Sequence, residues 1–287
     1  MTDVRTSILF QRSLTRPALA GALTGLLLCA SVPSALSAPA PYVPPRGTAY
    51  MGMGVLAHDG STPDAGDGNT DDSSSVPRAT QTEGVDVSSY QGNVAWSTLW
   101  SGGVRWAYTK ATEGTSYRNP SFTQQYNGPY STGMIRGAYH FATPDSSGGA
   151  AQADYFIGHG GGWSKDGKTL PGALDIEWNP YGDDCYGKSK SAMVSWIRDF
   201  LNRYKSRTGR HAVIYTATNW WTECTGNYGG FAANNPLWIA RYASSAGTLP
   251  AGWKTHTMWQ YTSTGKTVGD RDRFNGSTDR VKVLAKG

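Results

Sequence analysis

Gly172-Ala-Leu-Asp-Ile-Glu-Trp178 is a short run, apolar apart from two carboxylates, with Pro171 before it and Asn179-Pro180 after it. A run of this kind reads as a strand buried on both faces, as in parallel sheets. Similar runs recur outward from it. Gly84–Ser88, Val104–Lys110 and Ile135–Ala142 precede it, and His211–Ala217, Leu237–Arg241 and His256–Tyr261 follow. Helix-like stretches lie between them. The clearest takes Ser189 as N-cap, sets Met193, Trp196, Ile197, Phe200, Leu201 and Tyr204 on one stripe, and stops at Gly209. Strands alternating with helices predict an α/β fold, either a barrel or an open parallel sheet. The shortage of strong helices points to an incomplete barrel.

In such folds functional side chains gather at the C-terminal ends of strands. Asp86, Glu113, Asp175, Glu177 and the Asp270 region each fall at or just past a proposed strand end. Asp175 and Glu177 are two apart, so along a strand both carboxylates point the same way, roughly 6.5–7 Å apart at Cα. Two like charges among Leu174, Ile176 and Trp178 cannot both ionise freely. One pKa rises, and that group can donate a proton near neutral pH. Glycoside hydrolysis uses such a pair, one group as acid and one carboxylate facing the developing positive charge. A structural ion pair or a metal site fits the spacing equally well. Asp86 is either a third acid or the cap of the turn after it. Asp270 and Asp272 look superficially like a calcium loop, but Arg271 and Arg273 lie between and after them and no terminal Glu follows. No nucleophile elbow, zinc-binding helix or phosphate loop is found, and the His residues are scattered. His140, in an apolar strand, reads as a hydrogen-bonded core residue. No metal and no cofactor are expected.

The rest of the 287-residue chain sets the context. Arg5, Arg12 and Arg16, the apolar stretch from Pro17 to Val32 and the small residues after it read as a secretory signal over 1–38. The apolar run is shorter than the ~20 residues a membrane span needs. Residues 39–82, rich in Asp, Gly, Ser, Thr and Pro, read as a disordered linker or pro-segment. Gly52-Met-Gly-Val-Leu-Ala57 nominally matches a dinucleotide fingerprint but lacks the preceding strand, and is taken as chance. The main domain spans 83–287. Cys29 leaves with the signal, so Cys185 and Cys224 are expected to pair in an oxidising compartment. From residue 81 onward there are 21 Lys and Arg against 15 Asp and Glu. A basic exported domain is drawn to polyanions. An anionic cell wall fits better than nucleic acid, since no nucleic-acid signature is present. All eleven Trp and fourteen of the sixteen Tyr lie after residue 81, and some are expected to line a groove that takes flat sugar faces.

Seven segments in order resemble glycoside hydrolase family 25, the Chalaropsis-type lysozymes, and in particular their secreted actinobacterial members. They are Gly84-Val-Asp-Val-Ser-Ser-Tyr-Gln-Gly92 with Trp96, Lys110-Ala-Thr-Glu-Gly114, Gly137-Ala-Tyr-His-Phe141, Leu174-Asp-Ile-Glu177, Ile214-Tyr-Thr216, Leu237-Trp-Ile-Ala-Arg-Tyr242 and Trp259-Gln-Tyr261. The resemblance implies a single-domain, irregular, flattened β/α barrel, TIM-like with an incomplete helix ring, acting as a monomer on peptidoglycan outside the cell. It implies a muramidase that cuts the β-1,4 bond between N-acetylmuramic acid and N-acetylglucosamine, with retention of configuration. By motif position Glu177 would be the general acid/base, Asp175 its electrostatic partner, and Asp86 and Asp270 further groove acids. Tyr90, Lys110, Tyr139, Tyr215, Trp238, Tyr242 and Gln260 would bind sugar. The chain departs from the family at Asp272, where Asn is usual. A wall-binding module that no longer cuts, and a chitinase-like hydrolase, are the rival readings.

Overall fold

A computed structural model of the protein describes residues 43–59, 80–265 and 268–287. The signal reading over 1–38, and the linker reading at 39–42 and 60–79, lie outside the described residues. Among the described residues nine strands form: β1 (Thr82–Val87), β2 (Trp106–Glu113), β3 (Tyr117–Arg118), β4 (Ile135–Phe141), β5 (Ala173–Asp175), β6 (Val213–Thr216), β7 (Leu237–Ala240), β8 (Met258–Thr262) and β9 (Asp270–Phe274). Their order is β1-β9-β8-β7-β6-β5-β4-β2, with β3 added outside β2. Parallel pairing of β1 with β2, from Gly84 opposite Trp106 to Val87 opposite Thr109, closes eight of them into a barrel.

The seven runs read from sequence correspond to β1, β2 and β4–β8. The two strands without such a run are both antiparallel. β3 folds back on β2. β9 returns directly from β8 and closes onto β1, with Asp86 opposite Asp270. No crossover helix separates β8 from β9 among the described residues, and without a crossover two neighbouring strands pair antiparallel. This places Asp270 at the start of β9 rather than at a strand's C-terminal end. The barrel end is nevertheless the same, because β9 runs against its neighbours.

The helices are α1 (Met53–His58), α2 (Trp96–Ser101), α3 (Phe122–Thr132), α4 (Gly149–Phe156), α5 (Lys190–Thr208), α6 (Thr218–Thr225) and α7 (Thr278–Lys286). None follows β7 or, among the described residues, β8, so the helix ring is incomplete. α5 forms as its pattern dictates. Ser189 Oγ accepts the Ala192 N–H at 3.3 Å, the apolar stripe is buried, and Gly209 ends the helix at φ 75°. Eight of the eleven Trp are buried, so most of the aromatic excess fills the fold rather than a groove. The ring of Trp238, for example, packs 4.9 Å from Tyr108, 5.3 Å from Tyr215 and 5.8 Å from Trp106.

Cys185, in the loop after β5, is bonded to Cys224 in α6, with the two Cα atoms 5.3 Å apart. The bridge ties together two connections at the barrel end that carries the strand C-termini. Closing a separation of 39 residues stabilises the fold by roughly 3–4 kcal/mol in the chain-entropy view. Reduction is therefore expected to lower the melting temperature by roughly 10 °C for a domain of this size. A mass spectrum of the native protein showing two free thiols would end this claim.

Val43–Asp59 falls in the 39–82 stretch read as a disordered linker or pro-segment, and it is ordered, which removes the disordered-linker alternative for these residues. It carries α1, and Ala49, Met51 and Val55 are buried in contact with the barrel.

Candidate active site

The site lies at the end of the barrel where the parallel strands terminate. Its floor is organised by Gln260 of β8. The amide Nε2 donates to Asp86 Oδ2 at 2.8 Å and to Asp270 Oδ2 at 3.2 Å. Its Oε1 accepts from Tyr215 at 2.6 Å and from Tyr242 at 3.0 Å. Tyr242 also reaches Asp270 Oδ2 at 3.4 Å. Five residues read separately from sequence thus form one hydrogen-bonded network spanning β1, β6, β8, β9 and the loop after β7.

Asp175 ends β5, and the Ile176 N–H still bonds the Tyr215 carbonyl at 3.0 Å. Extended backbone therefore continues past the strand, and Asp175 and Glu177 turn to the same side. Both are buried. Burial, joined by the neighbouring Glu177 charge, drives the Asp175 carboxyl well above the carboxylate range. Burial pushes Glu177 up to about 8, against the opposing effect of its hydrogen bonds. The two carboxyls act on one another's ionisation, so the pair titrates together. Neither oxygen of Asp175 has a hydrogen-bond partner among the described residues. Asp86 is pushed up to about 7 and Asp270 is raised well above the carboxylate range, again by burial first. Crowded, buried carboxyls cannot all hold charge together.

Lys110 of β2 is fully buried and pairs with Glu113 Oε2 at 2.6 Å. Glu113 Oε1 in turn accepts from Tyr181 at 2.6 Å. Burial lowers the Lys110 pKa, and the Glu113 charge opposes that. Tyr139 is buried in the site, and burial raises its pKa further than its hydrogen bond lowers it. Tyr90 stands apart at 81% exposure, on the rim. Trp238 corrects the sequence reading. It is sealed in the barrel core, and its Nε1 donates to Asp272 Oδ1 at 3.0 Å, so it supports the acidic floor from below instead of facing sugar. His140 is the core residue expected, bonded to Thr112 at 2.8 Å and Gln152 at 2.9 Å and held neutral by burial, with a pKa of about 4.

Asp272 is a member of the cluster whose role sequence reasoning missed. It is fully buried and lies opposite Gly84 in the β1–β9 pairing. Its Oδ1 accepts from Trp238, and its Oδ2 has no hydrogen-bond partner among the described residues. Burial, then the charges of Asp86 and Asp270, raise its pKa well above the carboxylate range. An asparagine amide oxygen can accept the same Trp238 N–H. Asp272→Asn is expected to melt within about 1 kcal/mol of the parent, whereas Asp272→Ala, which strands the Trp238 N–H, should cost roughly 1–3 kcal/mol. Thermal melts compare them, and equal losses in both variants would contradict this role.

The remaining hydrogen bonds of Glu177 come from outside the barrel. The Gly52 N–H donates to Oε1 at 2.6 Å and the Gly54 N–H to Oε2 at 2.9 Å.

Comparison with known proteins agrees with this geometry. Residues 85–270 match the family described as Glycosyl hydrolases family 25. The chain is 47% identical over 286 residues to Lysozyme M1 of Streptomyces globisporus, covering 94% of this chain and 95% of that protein. It is 51% identical over 209 residues to the N,O-diacetylmuramidase of Chalaropsis sp, covering 71% of this chain and 99% of that one. Among solved structures, the muramidase from Acremonium alcalophilum superposes with a TM-score of 0.71 at 55% identity, over 72% of this chain and 99% of the other.

Proposed function

The chain belongs to glycosyl hydrolases family 25, and from that premise we propose that it is an exported muramidase, cutting the β-1,4 bond between N-acetylmuramic acid and N-acetylglucosamine in peptidoglycan. The observation that carries this reading is the buried Asp175–Glu177 pair, both raised above the carboxylate range, in a groove lined by further acids. Burial raises Glu177 to about 8 in the intact chain, and a protonated Glu177 can give its proton to the leaving glycosidic oxygen. Asp175, whose oxygens have no hydrogen-bond partner among the described residues, faces the positive charge that develops at the sugar. The substrate's own N-acetyl oxygen attacks the anomeric carbon as the bond to the leaving oxygen breaks, giving an oxazolinium ion. Water then opens that ring, Glu177 takes the water's proton, and configuration is retained. Tyr139, Tyr215, Tyr242, Gln260 and Lys110 hold the sugars along the groove, with Tyr90 at its rim.

Export is supported by the Cys185–Cys224 bridge, since disulfides persist in oxidising compartments. The protein works as a monomer, without stable membrane attachment. The test is release of reducing ends from purified peptidoglycan, with chitin as the contrast. Release from peptidoglycan alone is expected. Wall binding without release would favour a pure binding module, and release from chitin as well would favour a chitinase-like hydrolase.

A further inference from the structure

In the intact chain the acidic groove is covered by the chain itself. Val43–Asp59 lies across it and uses the groove's own functional groups. Besides the two bonds to Glu177, the Met51 carbonyl accepts from Gln260 at 3.4 Å and the Gly52 carbonyl from Tyr242 at 3.5 Å. The Met51 N–H donates to the Tyr139 hydroxyl at 3.4 Å. Lys110 donates to the carbonyls of Gly47, at 3.2 Å, and Ala49, and the Gly47 N–H donates to Glu113 at 2.7 Å. Apolar contacts accompany these. The His58 ring stacks on Trp178 with centroids 4.3 Å apart and planes 10° off parallel, and Tyr50 lies 5.9 Å from Tyr90. A cavity of about 460 Å³ remains beside the segment, lined by Thr218, Asn219, Arg241 and Tyr242 with Val55 and Asp59 as its near wall.

The fit depends on glycine. Gly52 has φ 84°, and a Cβ there would meet the Tyr242 hydroxyl at 2.1 Å, too close for any side chain. A Cβ on Gly54 would meet Trp178 Cβ at 2.5 Å and Glu177 Oε2 at 3.0 Å. These are the glycines of the stretch that superficially matched a nucleotide fingerprint. Here they let backbone N–H groups reach a carboxylate.

We propose that Val43–Asp59 is a built-in inhibitor, holding the enzyme latent by occupying the sugar positions and capping both oxygens of Glu177 until the segment leaves. The proposal rests on the reading of this groove as the glycan site. The inhibition has two parts. No sugar chain can contact Tyr139, Lys110, Gln260 or Tyr242 while backbone groups of the segment hold them. The two N–H donors also occupy both oxygens of Glu177, the atoms that would have to meet the leaving glycosidic oxygen. Tethering sustains the block, because a linked segment acts at an effective concentration near the millimolar range and a severed one only at its bulk concentration.

The experiment uses the full chain with a specific protease site inserted between residues 60 and 79, assayed at nanomolar concentration before and after cutting. Two quantities are read, release of reducing ends from purified peptidoglycan and the fraction of protein bound to the same walls. Both are expected to rise on cutting, the rate by on the order of 10²-fold, and to fall again when a synthetic 43–59 peptide is added in excess. Uncut Gly54→Val should bind and cleave like the severed chain, since only the segment is altered. Equal rates and equal binding before and after cutting would overturn the proposal. Increased binding without cleavage would uphold the inhibitor and sink the muramidase reading instead.

Discussion

Glu177→Gln, in chain freed of residues 43–59, is expected to bind walls as the parent does and to cleave them roughly two to four decades more slowly. Glutamine keeps the shape of the side chain but carries no ionisable proton, so the leaving oxygen departs without protonation and no base receives the proton of the attacking water. The parent rate should fall as pH rises and Glu177 ionises. That limb should vanish in the variant. In the uncut chain the substitution has a second consequence. One of the oxygens that accept from Gly52 and Gly54 becomes an NH2 facing an N–H donor, so the segment should loosen. A variant that cleaves at the parent rate would remove Glu177 from the mechanism.

Asp175→Asn is the second large effect. Its carboxyl is buried, and its oxygens have no hydrogen-bond partner among the described residues. An amide cannot ionise to become the anion that balances the charge at the sugar, and losing that stabilisation should slow cleavage by roughly 10²–10³-fold. Stability should move the other way. The folded pKa of Asp175 is raised, so between about pH 4 and that pKa the folded state binds more protons than the unfolded one, and stability falls as pH rises. Asparagine removes that slope. The variant should therefore gain melting temperature over the parent at pH 8 and show little difference near pH 4. Parent-level cleavage by the variant, or an unchanged pH slope in its melting, would contradict this account.

Much of the barrel is legible from the sequence because its parallel strands are continuous apolar runs. The alternation of Asp175 and Glu177 around Ile176 could be read as a shared direction before any fold was known. β9 is not legible in that way. Asp-Arg-Asp-Arg-Phe alternates, with Asp270, Asp272 and Phe274 buried and Arg271 and Arg273 turned outward. The buried members are mostly carboxyls, however, so a search for apolar alternation passes over it. The outward arginines are held by Glu83 across the β1–β9 pairing, a contact visible only once the barrel closes. Trp238 misleads for the opposite reason. It sits in a motif rich in groove residues, yet its strand position sends the ring into the barrel interior.

The segment before β1 hides its order in its composition, which over 39–82 as a whole is that of a linker. Within it Ala49, Met51 and Val55 supply enough apolar surface to dock, and Gly47, Gly52 and Gly54 let the backbone approach closely. Neither feature carries a periodic signal.

The central claim is a muramidase whose proton donor is Glu177. The most direct measurement is to digest purified peptidoglycan with chain freed of residues 43–59, reduce the new ends with borohydride and identify the reduced sugar. Muramitol in the digest, and almost none with Glu177→Gln, is the predicted result. Glucosaminitol as the new end, or muramitol at the same yield from the variant, would contradict it.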